Sequence, residues 1–448
     1  MNDLATSLTT RYFNASGGEL HVGAIPVSAL VQKYHTPMFV YDTAVMNTKL
    51  AGLRRALPSG FSIYYSVKAN PNPAIISHFL SLGCGLEIAS AGEFSLALEA
   101  GAAPSRLLFA GPGKTEAELE LVLSQGISEV HVESLTETER ISRICRRSGV
   151  IANIAIRVNP AAEVEGGAMR MGGRPAPFGV DEEILDQVLD RVLGDPALNF
   201  CGIHLFTGTQ ILDPDILLAQ YRHGLELARS IVRRIGRPLQ TLDFGGGLGI
   251  PYFAHEKELD LDRLQNLLGE LFAAIAHDPE FKGTSFVVEP GRYLVGEAGV
   301  YLARVNDIKI SRGRKFLILD GGMNHHLAAS GNLGQTIKRN FPVALANKLS
   351  QPAEETVDVV GPLCTPLDTL ARNVTLPLAE IGDLFCIFQS GAYARSASPA
   401  AFLSHSPASE VLVDSGQDFF VGSREAAAEV AKTAALERCN SNGGFPQS

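Results

Sequence analysis

What this sequence lacks narrows its function before any motif is considered. Its six cysteines, at positions 84, 145, 201, 364, 386 and 439, are scattered, and none belongs to a CxxC pair. That spacing argues against a zinc site or a disulfide framework and fits a reducing compartment. No long basic run occurs, the formal net charge is −10 and the pI is about 5.6, so nucleic acid and anionic membrane are poor partners. No run of 18 apolar residues exists, and the opening "MNDLATSLTTRYFNASGG" has no apolar core of a signal peptide. A cytoplasmic protein is therefore expected. Internal repeats of fixed period and low-complexity linkers are also missing.

What is present is an ordinary globular composition, 46% hydrophobic and 19% charged, in 448 residues. That length suits two domains. From about residue 60 to 290 a short apolar strand, a turn and an amphipathic helix recur. The strand runs are "FSIYYSVK", "CGLEIAS", "RLLFAG", "EVHVES", "NIAIRVNP", "CGIHLFTGT", "TLDFGGG" and "FVVEPGR". Eight such units favour an α/β fold built on a (β/α)8 barrel, although an open doubly wound sheet would show the same alternation. In one unit Ser90 and Glu93 read as a capping box and Gly101 as the helix stop. After Arg292, runs such as "YLARVNDIKIS", "KFLILDGG" and "LFCIFQSGAY" are separated by turns, which reads as a mainly β domain. The early run "MFVYD" is assigned to that domain too. The expected division is a barrel over 43–290, a β domain from 1–42 and 291–423, and a helical, then frayed, tail over 424–448.

Barrel enzymes carry their chemistry at the C-terminal ends of the strands. Lys68 in "YYSVKANPNP", Glu87, Arg157, the run Gly245-Gly246-Gly247, Glu289 and Arg292 all fall at such ends. Each has an ordinary alternative. A lysine can close a strand in solvent, a glycine run can be a tight turn, and Glu289 can simply pair with Arg292. In the β domain, Cys364 stands between prolines in "VGPLCTPLD" and Tyr393 beside a glycine in "SGAYARS"; either could be a core residue. One requirement accounts for the whole set. Pyridoxal 5'-phosphate needs a lysine for a Schiff base, a glycine cradle for its phosphate and a carboxylate facing its pyridine nitrogen. Metal chemistry fits less well, because the His325-His326 pair and His204 lack ligand spacing, and no metal is expected.

The motifs "YYSVKAN", "LEIASAGE", "HLFTGTQ", "LDFGGGLG", "EPGR", "DGGMN", "GPLCTPLD" and "SGAY" occur in this order. From about residue 36 to 415 the chain thereby resembles the pyridoxal-phosphate decarboxylases of the ornithine/diaminopimelate decarboxylase family, whose barrel is alanine-racemase-like. The resemblance implies a cofactor-bearing barrel, a β domain and a head-to-tail homodimer with shared active sites. It implies that Lys68 is the Schiff-base lysine and that Glu289 faces the pyridine nitrogen. Gly245, Gly246, Gly247, Arg292 and Tyr393 would hold the phosphate with Thr209 close by, and Arg157 and Glu87 would line the cofactor. Cys364, from the other subunit, would return a proton to the carbanion left after CO₂ departs.

Two departures bear on the substrate. The family usually places a histidine over the cofactor ring where this chain has Phe206, which can stack but cannot exchange a proton. Members acting on free diamino acids follow the loop cysteine with an acid that grips a distal ammonium; here it is Thr365, a neutral hydroxyl. The arginine-bearing motif of diaminopimelate enzymes is replaced by "HHLAASGNLGQTIKRNFP". "GGAMRMGGRPAPFGVDE" and "GGGLGIPYFAHEKELD" are similar to a branch containing the butirosin-pathway decarboxylase, which acts on a glutamyl group held by an acyl carrier protein, and exosortase-associated decarboxylases. On that likeness Lys338, Arg339 and Arg170 would meet the acidic carrier or its phosphopantetheine, unless they are solvated surface charges. The leading expectation is α-decarboxylation of a carrier-tethered amino acid. The alternatives are decarboxylation of diaminopimelate or another free amino acid, racemisation, and cofactor binding without catalysis.

Overall fold

The computed structural model describes residues 3–161, 169–170, 175–206, 208–335 and 337–422. Eight strands form the barrel of the first unit: β1 (Phe61–Ser66), β2 (Gly85–Ile88), β3 (Leu107–Phe109), β4 (Glu129–Val132), β5 (Ala152–Asn159), β6 (Leu198–Leu205), β7 (Thr241–Asp243) and β8 (Ser285–Val288). Each pairs in parallel with its neighbours in sequence, and β8 pairs with β1, so the sheet closes. Closure removes both sheet edges and decides against an open doubly wound sheet. Strands β2, β3 and β4 are buried along their whole length, as expected when helices cover the outside and side chains fill the inside.

Helices α1 (Pro73–Ser81), α2 (Ala91–Glu99), α3 (Glu116–Ser124), α4 (Leu135–Ser148), α5 (Leu185–Leu193), α6 (Pro214–Ile235) and α7 (Leu261–Ala273) follow the first seven strands in turn. At α2 the structure forms half of the expected capping box. Ser90 Oγ accepts the Glu93 N–H at 3.1 Å, but the Glu93 carboxylate takes the Ala89 N–H at 2.6 Å, one residue early. Gly101, at φ 94°, follows the helix end. The full reciprocal box occurs at α3, between Thr115 and Glu118.

An aromatic cluster fixes the β7 end, where the glycine run begins. Phe244 stacks on Tyr221 of α6 with centroids 4.3 Å apart, and Phe61, Phe272 and Phe286 complete the group. A core phenyl of this kind contributes about 3–5 kcal/mol against truncation to alanine.

The second unit is built on the long strand Gly299–Ser311, which pairs antiparallel with Arg314–Leu319, Leu384–Ile387 and Met38–Asp42. Met38–Asp42 is in turn parallel to Ser409–Asp414. The N-terminal stretch, read from sequence as β, also holds two helices, Asp3–Tyr12 and Val27–Tyr34. Their buried residues, Ala5 and Leu8 on one and Val27, Leu30 and Val31 on the other, recur at helical spacing and pack into the core with Met38, Val40, Val300 and Phe388. The units divide differently from the expected boundaries: Met46–Pro251 and His255–Gly296 make the barrel unit, and Tyr252–Ala254 belong to the second. Tyr252 accounts for that detail, its ring lying 4.7 Å from Phe341. The tail over 424–448, with Cys439, lies outside the described residues.

Candidate active site

Strand β1 ends in a 3-10 turn, Val67–Ala69, in which Val67 and Ala69 are buried and Lys68 is turned outward. Ser66 lies in register with Glu87 on β2. That register sets Lys68 Nζ 2.8 and 2.7 Å from the two Glu87 oxygens, while Ser66 Oγ donates to Oε2 at 2.5 Å. The Lys68 side chain is 43% exposed and that of Glu87 only 1%. Lys68 is thus half-open at the strand end, its charge met by a buried carboxylate.

At the end of β7, Asp243 Oδ1 accepts the Gly245 N–H at 2.7 Å. Gly245 and Gly247 have φ of 67° and 93°, a region open to glycine. A Cβ on Gly245 would lie 2.5 Å from Leu205 O, on Gly246 2.5 Å from Glu289 O and on Gly247 2.9 Å from Gly208 O. Only a bare backbone fits, as an anion cradle of peptide N–H groups requires. The loop is tied down by Glu289 N–H to Gly245 O at 2.8 Å and Ile211 N–H to Gly247 O at 2.9 Å. Thr209, half-buried, lies in the short strand Gly208–Thr209, paired with Met169–Arg170; the Arg170 side chain is outside the described residues.

Phe206 follows β6 beside Gly245, and its ring centre is 5.7 Å from the Arg157 guanidinium, which also lies 5.2 Å from Phe178. Arg157 Nη1 donates to Glu133 Oε1 at 2.7 Å. Burial opposes the charge on Glu133, yet Arg157 and the Gly179 N–H hold its carboxyl below the usual range. Glu133 was not singled out from the sequence, although "EVHVES" carries it to a strand end as "LEIAS" carries Glu87. Lys114 is a second omission: it is buried and bonded to Glu137, whose other oxygen accepts the Glu133 N–H.

Glu289, just past β8, is buried and faces His204 Nε2 at 3.3 Å and His131 Nδ1 at 3.9 Å. Its neighbour in the motif, Arg292, opens a four-residue helical turn and is half-buried.

The remaining predicted residues belong to the second unit. Cys364 is exposed and Thr365 half-buried. Their loop is held by Asp368, whose carboxylate accepts the N–H groups of Leu363 at 2.8 Å and Met323 at 2.7 Å, joining "GPLCTPLD" to "DGGMN". Tyr393 is half-buried with φ 56°. Lys338 and Arg339 are exposed; Lys338 Nζ donates to Asn332 Oδ1 at 2.6 Å, and Arg339 lies 5.4 Å from the Phe253 ring.

Residues 44–296 match the family described as pyridoxal-dependent decarboxylase, pyridoxal binding domain. The chain belongs to this family. It is 37% identical over 410 residues to the L-glutamyl-[BtrI acyl-carrier protein] decarboxylase of Niallia circulans, covering 91% of this chain and 95% of that one. It is 31% identical to the diaminopimelate decarboxylase of Aquifex aeolicus, over 92% of this chain and 95% of the relative. The crystal structure of AQ1208 from the same organism superposes with a TM-score of 0.82 at 29% identity, covering 95% of this chain and 99% of that one.

This family member is a pyridoxal-phosphate-dependent carboxy-lyase, and the barrel residues fit its cofactor. The glycine loop excludes every side chain, so its bare backbone can approach a phosphate closely. Lys68 offers a primary amine at an accessible strand end. Glu289 offers a buried carboxylate whose Oε1 has no hydrogen-bond donor among the described residues, suited to a protonated ring nitrogen. Among the described residues no helix is long and apolar enough to cross a membrane.

Proposed function

We propose that this decarboxylase acts on an amino acid tethered through its distal end to an acyl carrier protein, a glutamyl-like group, rather than on a free diamino acid. The observation that carries the reading is Thr365. A free diamino acid presents a distal ammonium that needs a carboxylate partner, and the residue after Cys364 is a hydroxyl. A thioester-linked substrate has no such charge. The 37% identity to a decarboxylase named for a glutamyl carrier-protein substrate supports the same reading. The relatives named diaminopimelate decarboxylases favour a second reading, a free amino acid.

Bound in the barrel, pyridoxal phosphate supplies the electron sink for the pair left behind when the substrate carboxylate departs. The chain does the rest. Lys68 is the covalent attachment point, oriented by Glu87. The Gly245–Gly247 loop, with Arg292, Tyr393 and Thr209, would hold the phosphate. Glu289 would keep the ring nitrogen protonated, Phe206 would stack on the ring, Arg157 would line the cofactor, and Cys364 of the partner subunit would supply the proton for Cα in a cytoplasmic homodimer. Lys338, Arg339 and Arg170 meet the acidic carrier or its phosphopantetheine.

The test is CO₂ release from free glutamate, lysine, ornithine and diaminopimelate beside a glutamyl-loaded carrier protein. Turnover confined to the carrier-bound substrate is expected. Rapid turnover of a free diamino acid, without preference for the carrier, would overturn the substrate assignment.

A further inference from the structure

Behind Glu289 lies a layer of buried groups that the decarboxylation chemistry does not itself require. His131 on β4, His204 on β6, Asp243 ending β7 and Glu289 each place a polar side-chain atom within 4.8 Å of the others. All four side chains are buried, and the two imidazole rings lie 4.5 Å apart. Some of their bonding capacity is used: Asp243 Oδ1 accepts the Gly245 N–H at 2.7 Å and His131 Nε2 meets Glu129 Oε1 at 3.1 Å. His204 Nε2 lies 3.3 Å from Glu289 Oε2 without a formed hydrogen bond. Two carboxyl oxygens, Asp243 Oδ2 and Glu289 Oε1, have no hydrogen-bond donor among the described residues.

Two carboxylates in one dry site cannot both be ionised, because each raises the cost of charging the other. An unsatisfied buried acceptor loses its hydration without recompense. One proton placed between the two side chains relieves both penalties. Its location follows from the surroundings. Burial and the charge of Glu289 push Asp243 well above the ordinary carboxyl range. Burial also works against Glu289, but His204, His131 and Lys68 hold its carboxyl below that range. Burial pushes His204 down, which leaves a neutral ring able to donate Nε2–H to Glu289. The other ionisable groups near the layer are Glu129 on β4, Arg157 on β5, Tyr64 on β1 and Tyr221 on α6.

We propose that Asp243 is a neutral carboxylic acid that donates from Oδ2 to Glu289, and that with His131 and His204 it keeps Glu289 ionised toward the pyridine nitrogen. The last clause rests on the cofactor role given to Glu289; the protonation of Asp243 does not. Asp243 is a positioning residue. Through Oδ1 it holds the glycine loop and through Oδ2 the carboxylate, so one side chain serves both ends of the cofactor site.

Infrared difference spectra of the apoprotein with ¹³C-carboxyl aspartate test the first half. At neutral pH a carboxylic-acid C=O band is expected, shifted by the label and lost in Asp243→Asn. Its absence from the folded wild-type protein would overturn the proposal. So would one equivalent of a divalent cation in the purified apoprotein, since the four groups would then bind an ion instead of sharing a proton. The second half is read from the ¹⁵N shift of ring-labelled pyridoxal phosphate bound to the enzyme. Asp243→Asn, whose amide can donate where the acid did and still accept the Gly245 N–H, should keep the protonated-nitrogen shift. Asp243→Ala should move it toward the unprotonated value. Equal behaviour of the two variants would overturn the role toward Glu289. A ¹⁵N shift unchanged in Glu289→Gln would overturn the cofactor role of Glu289 instead, with the infrared band still deciding the state of Asp243.

Discussion

Lys68 Nζ and Ser66 Oγ converge on one buried oxygen, Glu87 Oε2, at 2.7 and 2.5 Å. The ammonium therefore serves the fold as well as the chemistry, because it is the cation that Glu87 faces. Lys68→Ala should remove covalent cofactor attachment, read by mass after borohydride reduction, and destabilise the protein by about 1–3 kcal/mol. Lys68→Arg keeps a charge for Glu87 but no amine that can bond the cofactor. It should be equally inactive and close to wild type in thermal midpoint; equal destabilisation of both variants would contradict this account of the pair.

Cys364 lies exposed on a pinned loop of the second unit. With a site shared between subunits, Cys364→Ala should slow decarboxylation by about 10²–10⁴-fold, the usual worth of a placed proton donor. Mixing it with inactive Lys68→Ala and allowing subunits to exchange should restore roughly a quarter of wild-type activity, as expected for a twofold dimer with one intact site per hybrid. No recovery on mixing would mean each chain carries its own complete site.

Phe206 sits beside the glycine loop and faces Arg157. Phe206→His should retain the cofactor, because an imidazole also stacks. It should add an inflection to the pH–rate profile at or below about pH 6.5, since the neighbouring guanidinium disfavours a second cation there. An unchanged profile would show that the residue at 206 does not sense the reacting charge.

His326 is fully buried; its Nδ1 accepts the Ala329 N–H at 3.2 Å and its Nε2 lies 3.0 Å from Ser390 Oγ. Burial pushes its pKa from 6.5 down to about 3. The unfolded chain thus binds a proton below about pH 6.5 that the folded chain refuses until about pH 3, so this group's contribution to stability is lost as pH falls through that window. Urea midpoints measured across it should decline less steeply for His326→Gln than for wild type.

The barrel was legible because eight strands alternate with helical patterns, and a period is a local property of the chain. The polar strand ends were legible for the same reason: Lys68, Glu87, the glycine run and Glu289 each interrupt an apolar run. The partners were not. Glu133 beneath Arg157 and the layer of His131, His204 and Asp243 come from separate strands, and Lys114 and Glu137 from a loop and a helix, so only the folded chain brings them together. The half-open setting of Lys68 was not legible either, because it comes from the 3-10 turn after Ser66, which rotates it outward. Helices Asp3–Tyr12 and Val27–Tyr34 were missed because each buries only two or three residues at helical spacing, a weak signal in a short segment.

The bond from Glu289 N–H to Gly245 O, and the close approach of Gly246 to Glu289 O, fasten the glycine loop proposed for the phosphate to the residue proposed for the ring nitrogen along one seam of backbone. The seam works as a caliper with fixed jaws. A molecule seated there must span a set length between its anionic group and its basic nitrogen. Analogues with a lengthened or shortened phosphate arm should reach one jaw and miss the other, so the barrel selects its cofactor by dimension as well as by charge.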